Sequence, residues 1–430
     1  MTPLAAYLKG DDEAVVEILD RLTHMRRTTR PAPFAPELMQ LAANLSTYLL
    51  NTPQVRRHPE LQVLGFWLRP AALETMKREF VVRPGCLAVA QGLVFHIPPA
   101  NVDTIFAYSL FMSFLCGNAN IVRIPSRRGA IANFLLAAIR ELFRKAPQAL
   151  RESLFLVSYD HDTALTGAIS SQVDLRVVWG GDETVRTIRA IPLAPWGREL
   201  IFPNRFSWSA IDIVAYKKLL ENEKEDLALC ASKDLFWFDQ NACSSPRIIV
   251  WRGVPDHDLM DDFYRRVDRQ IAKTGWQLDT GSAIQKKTQH YAAMVDYEVT
   301  QKSDLPNGLT VFRLSSLNQL GKMRQQPCFG GTLFEYQCDE LANLAPFIER
   351  GDQTLSVFGF SKAELKAFVR DVGGYGFDRI VPVGQALAFD VVWDGYDLPQ
   401  YFTRLVRVQP GGKASHVCGS RMMTSPKAGG

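Results

Sequence analysis

Between residues 84 and 190 short apolar runs rich in β-branched residues alternate with segments of helical length. Strands are expected over 87–97 (interrupted at Gln91-Gly92), 121–124, 154–158 and 175–179. Helices are expected over 102–116, 131–144, 163–169 and 182–190. Strands of this length joined by helices read as a parallel sheet, because parallel neighbours need long crossover connections. Such α/β sheets bind ligands outside the carboxyl ends of their strands. The strand ends are therefore where chemistry is sought.

The flanking regions differ in texture. Residues 1–80 read as helical: Asp11 and Asp12 cap a first helix carrying Val15, Ile18, Leu19 and Leu22, and a second covers 36–50. The basic, proline-containing run 26–33 between them reads as a solvated linker. After Pro203 a charged helix over 215–229, a strand over 247–251 and a helix over 258–274 suggest a second α/β unit. From Pro410 the chain is rich in Gly, Ser and Lys and reads as disordered.

Composition removes several classes. In a chain of 430 residues, 47% hydrophobic and 22% charged residues exclude a disordered or collagenous protein. Lys plus Arg number 49 against 45 Asp plus Glu, too small an excess to make nucleic acid the expected partner. Seven cysteines include no C-x-x-C pair, and the histidines show no metal spacing, so no metal site is expected and a reducing cytoplasm is. Lys9, Asp11, Asp12, Glu13 and Glu17 leave no apolar leader at the start. The charge-free run 104–122 contains Gly117, Asn118 and Asn120 near its end, which suits a buried helix followed by a strand rather than a membrane span.

Three strand ends carry candidate chemistry. Gly180 and Gly181 lie between a strand and a helix, where a phosphate could approach the backbone; spacing alone also fits an ordinary tight turn. Arg123, Arg127 and Arg128 surround a strand end and could grip a ribose or phosphate, or form a solvated loop. Cys243 sits in a polar loop, 239–246, just before an apolar strand.

Taken together, five motifs in order resemble the LuxC-like acyl-CoA reductases of bacterial luminescence, a branch of the aldehyde dehydrogenase superfamily. They are 92–101 (GLVFHIPPAN), 117–126 (GNANIVRIPS), 177–182 (VVWGGD), 239–246 (DQNACSSP) and 378–384 (DRIVPVG) followed by WDG at 393–395. The resemblance implies an α/β, aldehyde-dehydrogenase-like fold. Its parts would be a helical segment at 1–80, a Rossmann-type NADPH domain at 81–205, a catalytic domain at 206–395, an oligomerisation strand at 396–409 and a tail at 410–430. It implies Cys243 as nucleophile and Asn101 as the side-chain donor of an oxyanion hole. Arg123, Pro125, Ser126 and Arg127 would form the nucleotide-binding turn, with Gly180 and Gly181 under the pyrophosphate. A cation at Arg127, where NAD-preferring relatives often hold an acid, points to NADPH.

Two departures bear on the reaction. Where hydrolytic aldehyde dehydrogenases place a water-activating glutamate, this chain has Ile201, with Glu199 close by. Where they hold the nicotinamide ribose with Glu-x-Phe-Gly, it reads Gln326-Pro327-Cys328-Phe329-Gly330. Loss of the base protects a thioester from water and favours acyl reduction over aldehyde oxidation. The expected activity is NADPH-dependent reduction of an acyl-CoA to the aldehyde through an acyl-cysteine. The alternatives are a carrier-bound acyl donor, a hydrolytic dehydrogenase using Glu199, or a non-catalytic subunit of a reductase complex. The segment 401–408 alternates like an edge strand, so a homo-oligomer is expected. An acyl-transferring synthetase is the further partner that the family suggests. Phe106, Phe111, Phe114, Phe236 and Trp237 are candidate walls of an acyl tunnel, though ordinary core packing is the better account of most of them.

Overall fold

The computed structural model describes residues 5–7, 12–99, 102–126, 128–326 and 328–409. Its first half contributes β1 (Ala5–Tyr7), β2 (Cys86–Ala90), β3 (Leu93–Ile97), β4 (Ala119–Arg123), β5 (Leu154–Ser158), β6 (Leu175–Trp179) and β7 (Arg198–Phe202). All except β2 join one parallel sheet in the order β1-β5-β4-β3-β6-β7. The chain moves outward from β3 through β4 to β5, then returns to the other side of β3 with β6 and β7. Strand order therefore reverses between β3 and β6, which is the ligand-binding crevice of a doubly wound sheet.

The period-two alternation of these strands fills two cores. Val94, Val122, Leu156, Val177 and Leu200 face the helices Ile105–Leu115 and Ala130–Lys145, while Phe95, Ile121, Val157 and Val178 face Asp12–Arg27, Thr163–Ser170 and Asp182–Arg189. Ile105–Leu115 is buried on every side because it lies between the sheet and the N-terminal helix Pro36–Asn51. That all-round burial explains its uninterrupted apolar sequence. Among the described residues no helix is long and apolar enough to cross a membrane.

The helical reading of residues 1–80 misses two features. Ala5–Tyr7 is a strand on the sheet's edge, too short to carry a periodic signal. Pro53, Pro59 and Pro70 each open a helix in its first turn, where a proline's missing N–H costs nothing.

Only residues 203–205 link β7 to β8 (Phe206–Asp212). The second half continues with β9 (Pro246–Arg252), β10 (Val299–Asp304), β11 (Thr310–Leu314), β12 (Thr332–Cys338), β13 (Asp352–Phe358) and β14 (Arg379–Pro382). They form a sheet ordered β10-β11-β12-β9-β8-β13-β14, parallel except where β10 meets β11. Its helix falls over Glu221–Phe236 rather than 215–229: Glu223 accepts from the Leu220 N–H at 2.8 Å, which restarts the helix there, and Leu235 and Phe236 are buried at its end. After the short hairpin β15 (Val392–Trp393) and β16 (Tyr396–Asp397), β17 (Thr403–Arg407) pairs antiparallel with β2 in a two-stranded ribbon. The 410–430 tail lies outside the described residues.

Candidate active site

The short β7–β8 link sets the carboxyl ends of the first sheet against the amino ends of the second. Between them lies a cleft of about 140 Å³. Its first-sheet wall is Pro99 after β3 and Trp179, Gly180 and Gly181 at the end of β6; its second-sheet wall includes Arg205 before β8 and Cys243, Ser244 and Arg247 around the start of β9. Phe389, Trp393 and Asp394 close it from the segment after β14. Cys243 and the glycine pair, 62 residues apart in sequence (243 − 181), thus share one cavity.

Buried ionic contacts hold the Cys243 side. The Gln353 amide, at the start of β13, donates through Nε2 to Cys243 Sγ at 3.4 Å and also to Asp394 Oδ1. Asp394 Oδ2 accepts from Arg205 Nε at 3.2 Å, and Arg205 Nη2 reaches Asp378 at 3.2 Å. Arg350 completes the chain with a 2.8 Å bond to Asp378. Burial, assisted by the Asp394 charge, pushes the Cys243 thiol up to about 11, against the pull of Gln353, Arg205 and Arg247. A side chain so placed is held as the thiol rather than the thiolate at neutral pH. Among the described residues nothing accepts from the Cys243 backbone N–H.

The expected nucleotide turn stands at the same sheet end but outside the cleft lining. Arg123 closes β4, which is separated from β6 by β3. Its guanidinium lies over the Tyr159 ring at 4.9 Å and donates to the carbonyls of Tyr159 and Asp160 at 3.4 and 3.2 Å. Ser126 follows in the turn, and Arg128 closes it by donating to the Pro125 carbonyl at 2.9 Å. Asn101, Arg127 and Pro327 lie outside the described residues. Gln326 is tied to Tyr297 at 2.6 Å and Asp296 at 3.2 Å. Cys328 is buried, donating to the Thr332 carbonyl.

Glu199 is absent from the cleft lining. It sits three residues before the end of β7 and binds the buried Arg176 at 2.6 Å and Arg189 at 3.4 Å. The candidate tunnel aromatics also stand elsewhere: Phe106, Phe111 and Phe114 pack in the helix-side core and Phe236 against Trp276. Trp179, Phe202, Phe238, Phe389 and Trp393 supply the aromatic wall instead. Sequence reasoning assigned no role to Gln353 and Asp394. The WDG match at 393–395 was the one signal that reached Asp394. A larger cavity of about 1160 Å³, beside Trp276, Lys286 and Tyr291, contains none of the expected site residues. Among the described residues no cluster of His, Cys, Asp or Glu could hold a metal ion.

The sequence comparisons point to one family, and the solved structures to one fold. The model of the acyl-CoA reductase (LuxC) family matches residues 86–407. A long-chain acyl-protein thioester reductase of Aliivibrio fischeri is 26% identical over 93% of this chain and 80% of its own. One from Photobacterium leiognathi is 22% identical over 86% and 74%. Among solved structures, aldehyde dehydrogenase 21 of Physcomitrella patens superposes with a TM-score of 0.65 at 11% identity, over 91% of this chain and 90% of its own. An NAD-dependent benzaldehyde dehydrogenase of Corynebacterium glutamicum gives 0.64 at 12%, over 94% and 91%. A mutant of proline utilization A of Bradyrhizobium japonicum is matched over 93% of this chain but 45% of its own, at 16% identity and a TM-score of 0.64. The chain belongs to the acyl-CoA reductase (LuxC) family, aldehyde-forming oxidoreductases built on the aldehyde dehydrogenase fold.

Proposed function

We propose that this enzyme reduces an acyl thioester, carried by CoA or by a protein, to the aldehyde through an acyl-Cys243 intermediate, with NADPH as reductant. The observation that carries the reading is the absence of a free base in the cleft. Among its described lining residues Asp394 is the single carboxylate, and its two oxygens are engaged by Gln353 and Arg205. Glu199 is committed to Arg176 and Arg189. Among the described residues an acyl group on Cys243 therefore meets no free carboxylate to activate water, which favours its survival until reduction. The same observation weighs against a hydrolytic dehydrogenase.

The glycine pair fits a dinucleotide. Gly180 and Gly181 follow β6 at the point where strand order reverses and precede the helix Asp182–Arg189, whose N-terminal amides favour phosphate. A Cβ on Gly181 would meet the Asn204 amide at 3.6 Å, in the mouth of the cleft. The preference for NADPH rests on the cation at Arg127, where NAD-preferring relatives often hold an acid. When bound, the reduced nicotinamide supplies the hydride.

The chain's own residues do the rest. Cys243 gives up its proton as Sγ attacks the acyl carbon; the bond to the donor sulfur breaks, and the departing thiolate takes up a proton. The Gln353 N–H and the guanidinium charges of Arg205 and Arg247 stabilise Sγ as negative charge develops there. The Cys243 N–H and the Asn101 amide are assigned to the oxyanion. After reduction the tetrahedral adduct collapses to the aldehyde and returns the Cys243 thiolate. Six described cysteines are free thiols, which suits a reducing cytoplasm. The β2–β17 ribbon exposes Leu87 and Leu405 and is the surface we assign to a second copy of the chain. An acyl-transferring synthetase remains the partner suggested by the family alone.

The test follows NADPH absorbance with a panel of acyl-CoAs and acyl-carrier thioesters. Wild type should consume NADPH and release aldehyde, and Cys243→Ala should lose at least about 10³-fold in rate. Aldehyde oxidation without thioester reduction, or equal rates in the variant, would overturn the reading. Asn101→Ala should cost about 10²–10³-fold.

A further inference from the structure

The segment leading to the nucleophile is held in an unfavourable conformation. Phe238, Asp239 and Gln240 have φ values of 58°, 52° and 62°, three consecutive left-handed residues without a glycine. A side chain with a Cβ is strained in this region of backbone space, so the run needs an external restraint.

Gln240 supplies that restraint. Its side chain is wholly buried, and its carboxamide makes four hydrogen bonds to backbone. Nε2 donates to the carbonyls of Pro246 at 2.9 Å and Thr332 at 2.8 Å. Oε1 accepts from the N–H groups of Gly331 and Thr332, both at 3.1 Å. Both donors and both acceptor sites of the amide are thereby filled. The partners begin β9 and β12, so one side chain bolts the loop to two strands of the second sheet. A further bond, from Gly330 N–H to the Asp239 carbonyl at 2.9 Å, fixes the same turn. Gly331 must be glycine there: at φ +75° an added Cβ would strike the Phe236 ring at 2.5 Å. The result is directional. Phe238 and residues 241–244 line the cleft, whereas Gln240 points away from it into the sheet.

We infer that Gln240 is a positioning residue for acyl transfer, holding the left-handed turn so that Cys243 Sγ and the Cys243 N–H address the same acyl carbon. This rests on the thioester-reductase reading above. The four bonds restrain backbone rather than the thiol itself, so their loss should misalign the oxyanion donor and the nucleophile relative to each other while leaving the thiol reachable.

The experiment compares two reactions of Cys243. Acylation by a thioester, followed as released thiol in a single turnover, needs both groups aligned; alkylation by iodoacetamide needs only a reachable thiolate. Gln240→Leu should lose about 10²-fold or more in acylation, the size of a lost oxyanion donor, with alkylation across pH 7–10 changed less than about threefold. Gln240→Glu keeps the shape but turns a carboxylate toward the Pro246 and Thr332 carbonyls. It should show the same split and serves if the leucine variant does not fold. Gln240→Asn, too short to span both strands, should not restore acylation. In a folded variant, acylation within twofold of wild type would overturn the inference, as would acylation and alkylation falling in parallel. Failure of wild type to be acylated by any thioester would instead overturn the proposed function.

Discussion

The two sheets meet at one cleft but build their sides of it from different materials. The first presents carboxyl ends, and its contribution is backbone: two glycines, a helix start and an order reversal. Its polar groups buried beside β3 and β4 are neutral, and its Arg176–Glu199 ion pair lies outside the cleft lining. His96 donates through Nε2 to Asn120 Oδ1 at 3.0 Å and through Nδ1 accepts from Ser109 at 2.7 Å, an orientation fixed by the Asn120 amide donating to the Asn118 carbonyl. The second presents amino ends, and its contribution is paired charge: Arg205 with Asp378 and Asp394, and Arg324 with Asp352. A side made of backbone leaves room for a ligand that brings its own charges. The side made of paired charge adjusts the ionisation of one sulfur.

The sharpest way to break this contrast is to remove Arg205. Arg205→Met leaves the buried Asp394 and Asp378 without their shared cation, and breaking such a pair from one side typically costs about 3–5 kcal/mol. The urea midpoint should fall accordingly, and more than for any single substitution at Gly180 or Arg123. A loss below about 1 kcal/mol would mean that Arg350 and Gln353 satisfy those carboxylates unaided, and that the charge network is not structural.

A pH profile separates the halves next. Burial depresses His96 to about 4, against the pull of its bond to Asn120, so the unfolded chain takes a proton first. Stability from this site is complete above about 6.5 and is lost as pH falls toward 4, by about 3 kcal/mol in all. Asp234 behaves oppositely. Burial raises it to about 7 despite the N–H groups of Gly384 and Ala386. Its contribution is intact below about 3.8 and is lost as pH rises toward 7, by about 4 kcal/mol. The stability gained by Asp234→Asn over wild type should therefore grow from pH 4 to pH 7, and the deficit of His96→Gln should shrink as pH falls through the same range. Profiles that run parallel to wild type would show that neither group titrates on unfolding.

This asymmetry also decided what could be read from sequence. The first sheet's strands announce themselves as short β-branched runs, and the Trp179-Gly180-Gly181-Asp182 turn is visible because its parts are contiguous. The Cys243 loop is visible for the same reason. Gln353 and Asp394 are not, since they reach Cys243 from segments 110 residues away and further, and a glutamine opening a strand has no local signature. Gln240 stood inside a motif, yet its role depends on Gly331 and Thr332, about ninety positions downstream. Pairing of β17 with β2 was illegible too: the alternation of residues 401–408 fits an edge strand whichever neighbour it takes. Contiguous backbone motifs survive in one dimension, whereas networks of paired side chains do not.

The smallest expected effect bears directly on the chemistry. If the second sheet's charges tune the nucleophile, removing the one that opposes ionisation should make Cys243 more acidic. Asp394→Asn keeps the shape of the side chain and deletes the negative charge, and its single carbonyl oxygen can accept from Arg205 or from Gln353 but not from both. That charge, after burial, is what pushes the thiol up to about 11; Gln353, Arg205 and Arg247 would then act unopposed by any carboxylate in the cleft. The midpoint of iodoacetamide alkylation, corrected with Cys243→Ala, should drop by about one pH unit, so that alkylation at pH 8 speeds up by roughly tenfold. Arg247→Gln should move it the other way. An unchanged midpoint in Asp394→Asn would assign the raised thiol to burial alone and would reduce the charge network to a structural tie. A lowered midpoint would mean that the Asp394 charge, as well as desolvation, holds the Cys243 thiol protonated.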